Sequence, residues 1–168
     1  EDRPFVDKIR EASANGIIVV SAIGNDGPKY GTLNNPADQL DVIGVGGISN
    51  NGFVAKFSSR GMTTHELPYG YGRVKPDIVT YAQNLRSSAM IASPSTFGAP
   101  GRALCTRLSG TSVASPVVAG AVALLASTVD SQRRADVVNP ASMKQVLVES
   151  AVRNHASGSG HIFEQGAG

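Results

Sequence analysis

Residues 17–23, Ile-Ile-Val-Val-Ser-Ala-Ile, form a short run rich in β-branched residues in which apolar and polar positions do not alternate. Such a run is typical of a strand in a parallel sheet, because both faces of that kind of sheet are covered. The preceding residues, 4–16, have apolar side chains at helical spacing, a proline suited to a first turn and a final glycine suited to a helix end. A helix followed by a buried strand predicts an α/β fold with a mostly parallel sheet.

The same alternation continues along the chain. Residues 42–48 predict a second buried strand, 53–57 a short strand and 77–81 another strand. Residues 140–151 predict the last helix, and Asn139 is a good N-cap for it. The buried stripe of that helix is expected to consist of Met143, Val146, Leu147 and Ala151.

Composition indicates one globular domain. The 168 residues are 41% hydrophobic and 17% charged, and this low charge with long apolar runs excludes a disordered chain. The longest apolar stretch, Val117–Ala126, is shorter than the ~20 residues that a membrane-spanning helix needs, so no span is expected. A net charge of +2 without a basic cluster predicts no nucleic-acid partner. The single cysteine, Cys105, excludes a disulfide within the chain.

Residues 83–101 are rich in Ser, Ala, Pro and Gly and show little periodicity. This composition predicts a surface loop or an insertion rather than a core element.

A serine opens the most apolar helix that the sequence predicts. Residues 109–112, Ser-Gly-Thr-Ser, lead into small apolar residues that continue to Leu125, which indicates a central buried helix starting between Thr111 and Val113. The N–H groups of a first helical turn are unpaired, and the helix dipole is positive there. The Ser112 oxygen is therefore placed to attack a carbonyl whose developing charge meets backbone donors. The alternative is a plain N-cap serine.

An asparagine follows the first predicted strand. Residues 24–28, Gly-Asn-Asp-Gly-Pro, form a dense turn signal, and ligands of open α/β sheets bind beyond the carboxyl ends of the strands. The Asn25 carboxamide donates a hydrogen bond at any working pH because it does not titrate. Two alternatives remain: a turn asparagine that bonds to its own backbone, and an unrelated binding module that holds a small anion at this turn.

Four motifs, in one order, resemble those of the subtilisin-like serine proteases. Residues 110–116, Gly-Thr-Ser-Val-Ala-Ser-Pro, resemble the nucleophile motif of that family. Residues 21–27, Ser-Ala-Ile-Gly-Asn-Asp-Gly, resemble its oxyanion-asparagine segment, and residues 57–61 and 75–78 resemble two further landmarks. The resemblance implies the subtilisin-like three-layer α/β fold with a mostly parallel sheet.

Carried over residue by residue, the resemblance implies a serine endopeptidase with Ser112 as nucleophile and Asn25 as oxyanion-hole donor. The Ser112 backbone N–H would be the second donor, and Asp26 would lie near the rim of the pocket. The resemblance also implies four substrate-binding residues, Ala22, Ile23, Gly24 and Thr111. Thr111 would in addition support the oxyanion hole.

The base that would activate this serine is not identified within the chain. In the family the aspartate and the histidine precede the serine, and neither segment occurs in residues 1–168. We therefore expect the C-terminal half of one peptidase domain, stopping before the family's last strand and inactive alone. His65, His155 and His161 are expected to be solvated rather than catalytic. A catalytically dead family member or a scaffold is the alternative.

Longer segments resemble a membrane-anchored branch of the family, notably residues 30–38, 59–64 and 139–144. This implies a zymogen on the lumenal side of the Golgi or endoplasmic reticulum membrane that cleaves membrane-bound transcription-factor precursors. Its own N-terminal half and propeptide would be its other partners. Calcium often stabilises the family, but the sequence offers no complete ligand set, so no metal or other cofactor is expected. Cys105 would be either a lumenal thiol paired elsewhere or a buried structural cysteine.

Overall fold

The structure is a computed structural model, and it describes residues 3–63, 72–88, 105–153 and 160–168. The elements, in chain order, are α1 (Arg3–Ala14), β1 (Val19–Ala22), β2 (Val42–Ile48), β3 (Gly61–Met62), β4 (Val74–Lys75), β5 (Ile78–Tyr81), β6 (Leu85–Ser88), β7 (Cys105–Leu108), α2 (Thr111–Thr128), α3 (Arg134–Val137), α4 (Pro140–Ser150) and α5 (Ile162–Gln165).

The main sheet has three parallel strands in the order β1–β2–β5. Val19 pairs with Val42, and Val45 pairs with Ile78. The central strand, β2, is buried over six of its seven residues, as expected for an apolar run without alternation. The predicted α/β fold with a parallel sheet is confirmed.

The core forms where one face of the sheet meets two helices. β2 and β5 bring apolar side chains to this face, α2 brings small or β-branched ones, and α4 contributes one methionine. The small residues let α2 lie close to the strands, and burial of each larger side chain contributes about 1.5–3 kcal/mol. The buried members of this core are Ile43, Val45, Ile78, Ala82, Ala114, Val118, Val122 and Met143.

Helix α2 begins at Thr111, within the predicted range, and Gly110 is its N-cap residue. By length and composition this helix is apolar enough to cross a membrane, whereas the sequence expectation counted only the uninterrupted stretch Val117–Ala126. In this structure one face of α2 packs against all three strands of the parallel sheet, but only 22% of the helix is buried, so the expectation of a central buried helix is wrong. A single apolar helix of this length also occurs in soluble proteins. The helix is therefore weak evidence for a membrane span.

Helix α4 begins as the sequence predicts. The Asn139 side chain accepts a hydrogen bond from the Ser142 N–H at 2.9 Å, which confirms the predicted N-cap. Met143 is 4% exposed and Leu147 packs against the core, but Val146 is 41% exposed. The prediction of a buried Val146 is wrong because the inward stripe repeats at every fourth residue from Met143.

The short strand predicted for residues 53–57 is wrong. Only Val54 forms an isolated bridge, opposite Ile48. Phe53 and Ala55 form backbone hydrogen bonds with residues near the end of β2, and the chain then turns, with the Ser58 N–H donating to Ala55. Because the two segments run together for one bridge only, no ladder develops.

The prediction of a loop at residues 83–101 is wrong in part, because Leu85–Ser88 form strand β6. β6 pairs antiparallel with β7 to form a separate two-stranded hairpin. Local periodicity could not reveal it because its partner lies some 20 residues away in the chain. The remaining residues of the expected loop, 89–101, lie outside the described residues. Cys105 lies exposed on β7, so the alternative of a buried structural cysteine is wrong.

Two lysines meet one carboxylate near the amino end of β2. Lys75 Nζ lies 2.7 Å from Asp77 Oδ2 and 2.9 Å from the Val42 carbonyl oxygen. Lys144 Nζ lies 2.9 Å from Asp77 Oδ1 and 3.0 Å from the same carbonyl. The Gly44 N–H also donates to Asp77. This network ties β2, β4 and α4 together, and every charge in it has a partner, which a buried ion requires.

Burial lowers the pKa of Lys75 to about 8, and the Asp77 carboxylate opposes that shift. Lysine in an unfolded chain has a pKa near 10.4. Between those values the unfolded chain binds more protons than the folded one, so the free energy of unfolding rises with pH.

We predict that Lys75→Met removes this rise. Unfolding measured in denaturant from about pH 7.5 to 10.5 is expected to show a positive slope for the parent that the variant lacks. The difference is on the order of a few kcal/mol, because one pKa unit corresponds to about 1.4 kcal/mol. Parallel curves for the two proteins would show that Lys75 is not the titrating group.

Candidate active site

Ser112 is the second residue of α2 and is exposed. The N-cap is Gly110, and no side chain caps this helix. The alternative of a plain N-cap serine is therefore wrong. The Gly110 N–H donates to the Ala82 carbonyl at 2.8 Å, so the start of α2 is fixed to the end of β5.

Asn25 follows β1 at the carboxyl end of the sheet. Its Oδ1 accepts hydrogen bonds from the Thr111 N–H at 2.9 Å and from the Thr111 hydroxyl at 3.1 Å, across 86 residues of sequence. Because the backbone partner is a donor, the atom facing it is the carboxamide oxygen. The alternative in which Asn25 bonds to its own backbone is wrong, and the Nδ2 group is left to point elsewhere.

The two candidate side chains flank the same glycine. A Cβ placed on Gly110 would lie 3.2 Å from Ser112 Oγ and 3.6 Å from Asn25 Nδ2. Gly110 has a φ of 142°, which side-chain-bearing residues rarely adopt. The serine hydroxyl and the Asn25 carboxamide, whose Oδ1 would be 3.7 Å from the same Cβ, therefore lie beside a backbone position that glycine keeps open.

Thr111 is fully buried and joins the two loops. Its hydroxyl oxygen accepts from the Gly24 N–H at 3.3 Å and lies 3.2 Å from the Gly24 carbonyl oxygen. The hydroxyl carries one proton, so it donates to either that carbonyl or Asn25 Oδ1 at any moment. This places Thr111 as a support of the Asn25 carboxamide rather than as a group in the open site.

Gly24 packs against two residues, Ser59 and Asn34, that the sequence did not single out as site residues. At its φ of 120°, a Cβ would lie 2.6 Å from Ser59 Oγ and 2.9 Å from the Asn34 carboxamide. Ser59 also accepts a hydrogen bond from the Asp26 N–H at 3.1 Å. Residues 57–61 resemble a family landmark, but no local pattern in the sequence predicts that they contact the Asn25 turn.

The residues predicted to form a substrate wall differ in accessibility. Ile23 is fully buried and Gly24 is buried, whereas Ala22 is partly exposed. The Ile23 N–H and carbonyl are both bonded, to Val45 and Asn34 respectively. A wall built from this segment would therefore present Ala22 to a substrate. Asp26 is exposed beside Asn25.

The loop that follows Asn25 is tied to the end of the chain. Glu164 Oε1 accepts from the Tyr30 hydroxyl at 3.0 Å and from Arg60 at 2.8 Å. Partial burial and then the hydrogen bond to Glu164 raise the pKa of Tyr30 above its usual value. This contact connects the loop to α5.

No base for Ser112 is found among the described histidines. His161 is exposed, stacks on Phe163 and accepts from that residue's N–H at the start of α5. His65 and His155 lie outside the described residues. In the part of the chain that the structure describes, no group of three His, Cys, Asp or Glu side chains could hold a metal ion.

A cleft of about 820 Å³ lies between α1 and α4. Leu40 and Asp41, just before β2, line it together with Lys144. It is therefore at the amino ends of the strands, opposite Asn25 and Ser112, and none of the candidate site residues borders it.

Comparisons with known proteins bear on this geometry. A family model described as the subtilase family matches residues 2–168. The chain is 61% identical to the membrane-bound transcription factor site-1 protease of Homo sapiens over 99% of its own length and 14% of that protein. It is 59% identical to subtilisin-like protease SBT6.1 of Arabidopsis thaliana, covering 99% of this chain and 15% of that protein.

Among solved structures, the patellamide maturation protease PatA aligns with a TM-score of 0.73 and 27% sequence identity. The alignment covers 100% of this chain and 53% of the PatA chain. The chain thus spans about a seventh of the two curated relatives and about half of that structure. The fold and sequence resemblance agree, and the chain belongs to the subtilase family of serine proteases.

Proposed function

We propose that the chain carries the nucleophile and the oxyanion hole of a serine endopeptidase. The observation that supports this most strongly is the convergence of Ser112 Oγ and Asn25 Nδ2 on Gly110. An anion-binding module at the Asn25 turn alone would not need an exposed hydroxyl at that point. Membership of the subtilase family supports the same reaction class.

In the proposed mechanism, Ser112 Oγ attacks the carbonyl carbon of the scissile bond while a general base takes the hydroxyl proton. The Asn25 Nδ2–H and the Ser112 N–H donate to the oxyanion that develops. The base then returns the proton to the leaving amine, and water hydrolyses the acyl-enzyme in the reverse sequence. Thr111 keeps the Asn25 amide nitrogen turned toward the oxyanion.

We propose that residues 1–168 are the C-terminal half of one peptidase domain, with the aspartate and histidine supplied by preceding chain. The match to about half of the PatA structure supports this. So do Val117 and Leu124, which are 46% and 69% exposed on α2, since exposed apolar surface of this kind is typical of an interface.

The other end of the chain lies where a further strand would pair. The Val79 N–H of β5 donates to the Gly168 carbonyl at 2.9 Å, and β5 is at one edge of the described sheet. We propose that the family's last strand continues from this point.

We further propose that the whole protein is made as a zymogen and acts at the lumenal side of the Golgi or endoplasmic reticulum membrane. Its substrates would be membrane-bound precursor proteins, and its propeptide would be a partner. The identity of 59–61% with proteins that include a membrane-bound transcription factor site-1 protease supports this choice.

The first prediction of the proposed function concerns the 168 residues alone. We expect them to cleave no fluorogenic peptide and to resist fluorophosphonate labelling, because a serine without a base is a weak nucleophile. The full-length protein should be labelled, Ser112→Ala should abolish labelling, and Ser115→Ala on the same helix should retain it. Cleavage by the short chain that Ser112→Ala removes would contradict the half-domain proposal. An unlabelled full-length protein would favour the catalytically dead alternative.

The second prediction concerns the oxyanion hole. Asn25→Ala in the full-length enzyme is expected to lower kcat by roughly 10²–10³ with little change in KM; the figure is that of subtilisin itself. Asn15→Ala, at the end of α1, is the matched control and should leave kcat unchanged. Equal kcat values for the enzyme and Asn25→Ala would remove Asn25 from the reaction.

The third prediction concerns the support of that amide. Thr111→Val keeps the backbone donor to Asn25 and loses the hydroxyl, so kcat should fall about 5- to 10-fold, as expected for a hydrogen bond worth about 1 kcal/mol. Thr111→Ser should restore most of the activity. A fall in thermal stability with unchanged kcat would show that the hydroxyl serves only the Gly24 backbone.

A further inference from the structure

Two arginines lie directly opposite each other on the β6–β7 hairpin. The antiparallel register pairs Arg86 with Arg107, so both side chains leave the same face of the hairpin, with Cβ atoms about 5 Å apart. Both residues are exposed. This places two guanidinium groups within reach of one anionic side chain.

This pairing has a cost that the described residues do not offset. Like charges directly opposite on adjacent strands are destabilising, and a lone two-stranded hairpin is only marginally stable. The hairpin forms its own sheet, and all four residues of β7 are exposed. Among the ion pairs of the described ranges, none involves Arg86 or Arg107.

The base of the hairpin is adjacent to the candidate active site. An Nη1–H of Arg107 donates to the Asn84 carbonyl at 3.2 Å, and the Asn84 N–H donates to Ser109 Oγ at 3.0 Å. The Arg107 guanidinium is thereby held toward the hairpin base. From Arg107 the chain reaches Ser112 in five residues, a span of at most about 17 Å.

We propose that Arg86 and Arg107 form an acid-recognition surface for an aspartate or glutamate of the polypeptide substrate, on the leaving-group side of the scissile bond. This rests on the proposed endopeptidase function. Guanidinium groups bind carboxylates through paired hydrogen bonds, and a bound carboxylate would relieve the repulsion between the two arginines.

The position of the hairpin in the sheet indicates the side of the bond. The residues before the scissile bond are assigned to the segment around Ala22, at the end of β1. The hairpin instead leaves the carboxyl end of β5, which is the other edge strand of the described sheet. The start of α2 is bonded to the ends of both edge strands, through Thr111 to Asn25 and through Gly110 to Ala82. We therefore place the hairpin beside the part of the substrate that follows the bond.

The test uses full-length enzyme and three fluorogenic peptides that share one sequence. The first has Asn at the second residue on each side of the scissile bond. The other two replace one of these with Asp, either after the bond or before it. We expect kcat/KM to be about fivefold higher for Asp after the bond than for Asn, and the ratio to fall to about one in Arg86→Gln/Arg107→Gln. The matched control, Arg10→Gln on α1, should keep the fivefold ratio. Because exposed pairs are screened, the ratio should also shrink in high salt.

Binding is measured separately with full-length Ser112→Ala and the same labelled peptides. Fluorescence anisotropy should give a similar preference, again abolished by the double arginine variant. If the peptides bind with this preference but the unmodified full-length protein hydrolyses none of them, the proposed endopeptidase function is overturned and the acid-recognition surface is supported. A ratio of one in the parent, a ratio that survives in the double variant, or a preference for Asp before the bond would each overturn the surface. Arg86→Gln alone should raise the melting temperature, because it removes the repulsion between the two paired guanidinium groups.

Discussion

The contact between the Asn25 carboxamide and Thr111 organises this end of the molecule. It joins the turn after the first strand to the first residue of the main helix, across 86 positions of sequence. The Asn25 oxygen accepts from the Thr111 N–H, and from the Thr111 hydroxyl when that proton is not shared with Gly24, so the amide nitrogen faces away from Thr111. The orientation of the proposed oxyanion donor thus follows from ordinary hydrogen bonding around a buried residue, and no charge is needed to hold it.

The two ends of the parallel sheet carry different kinds of interaction. At the carboxyl ends, uncharged groups around Gly24, Gly110 and Thr111 hold the backbone in conformations that side chains would prevent. At the amino end, Asp77 accepts from Lys75 and Lys144 and ties the central strand to its neighbours. This separation puts the Asp77 network at the end of the sheet away from Asn25, where the adjacent residue, Asp26, is an exposed carboxylate.

The sequence predicted elements whose signals are local. The apolar run at 42–48 matched β2, and Asn139 capped α4, because burial on both faces and capping each leave a short pattern. The β6–β7 hairpin was missed since its strands pair across a long separation. For the same reason the local pattern around Ser112 and Asn25 was compatible with an N-cap serine and a turn asparagine as well as with catalytic roles. The N-cap at Gly110 and the bond from Thr111 to Asn25 exclude the two simplest alternatives, and the part played by Ser59 depends on a contact that no local pattern encodes.

The proposed mechanism places two requirements of serine catalysis in different parts of the chain. Oxyanion stabilisation needs donors fixed in advance, and the contacts of Asn25 with the first turn of α2 would fix them. Proton transfer needs a base beside an exposed hydroxyl, and the one histidine in the described residues, His161, instead accepts from the Phe163 N–H. Since a preorganised hole lowers the barrier only after the nucleophile is activated, the proposed oxyanion hole would be silent without a base. Under the half-domain proposal, activity would therefore begin only when these residues assemble with the chain that carries the base.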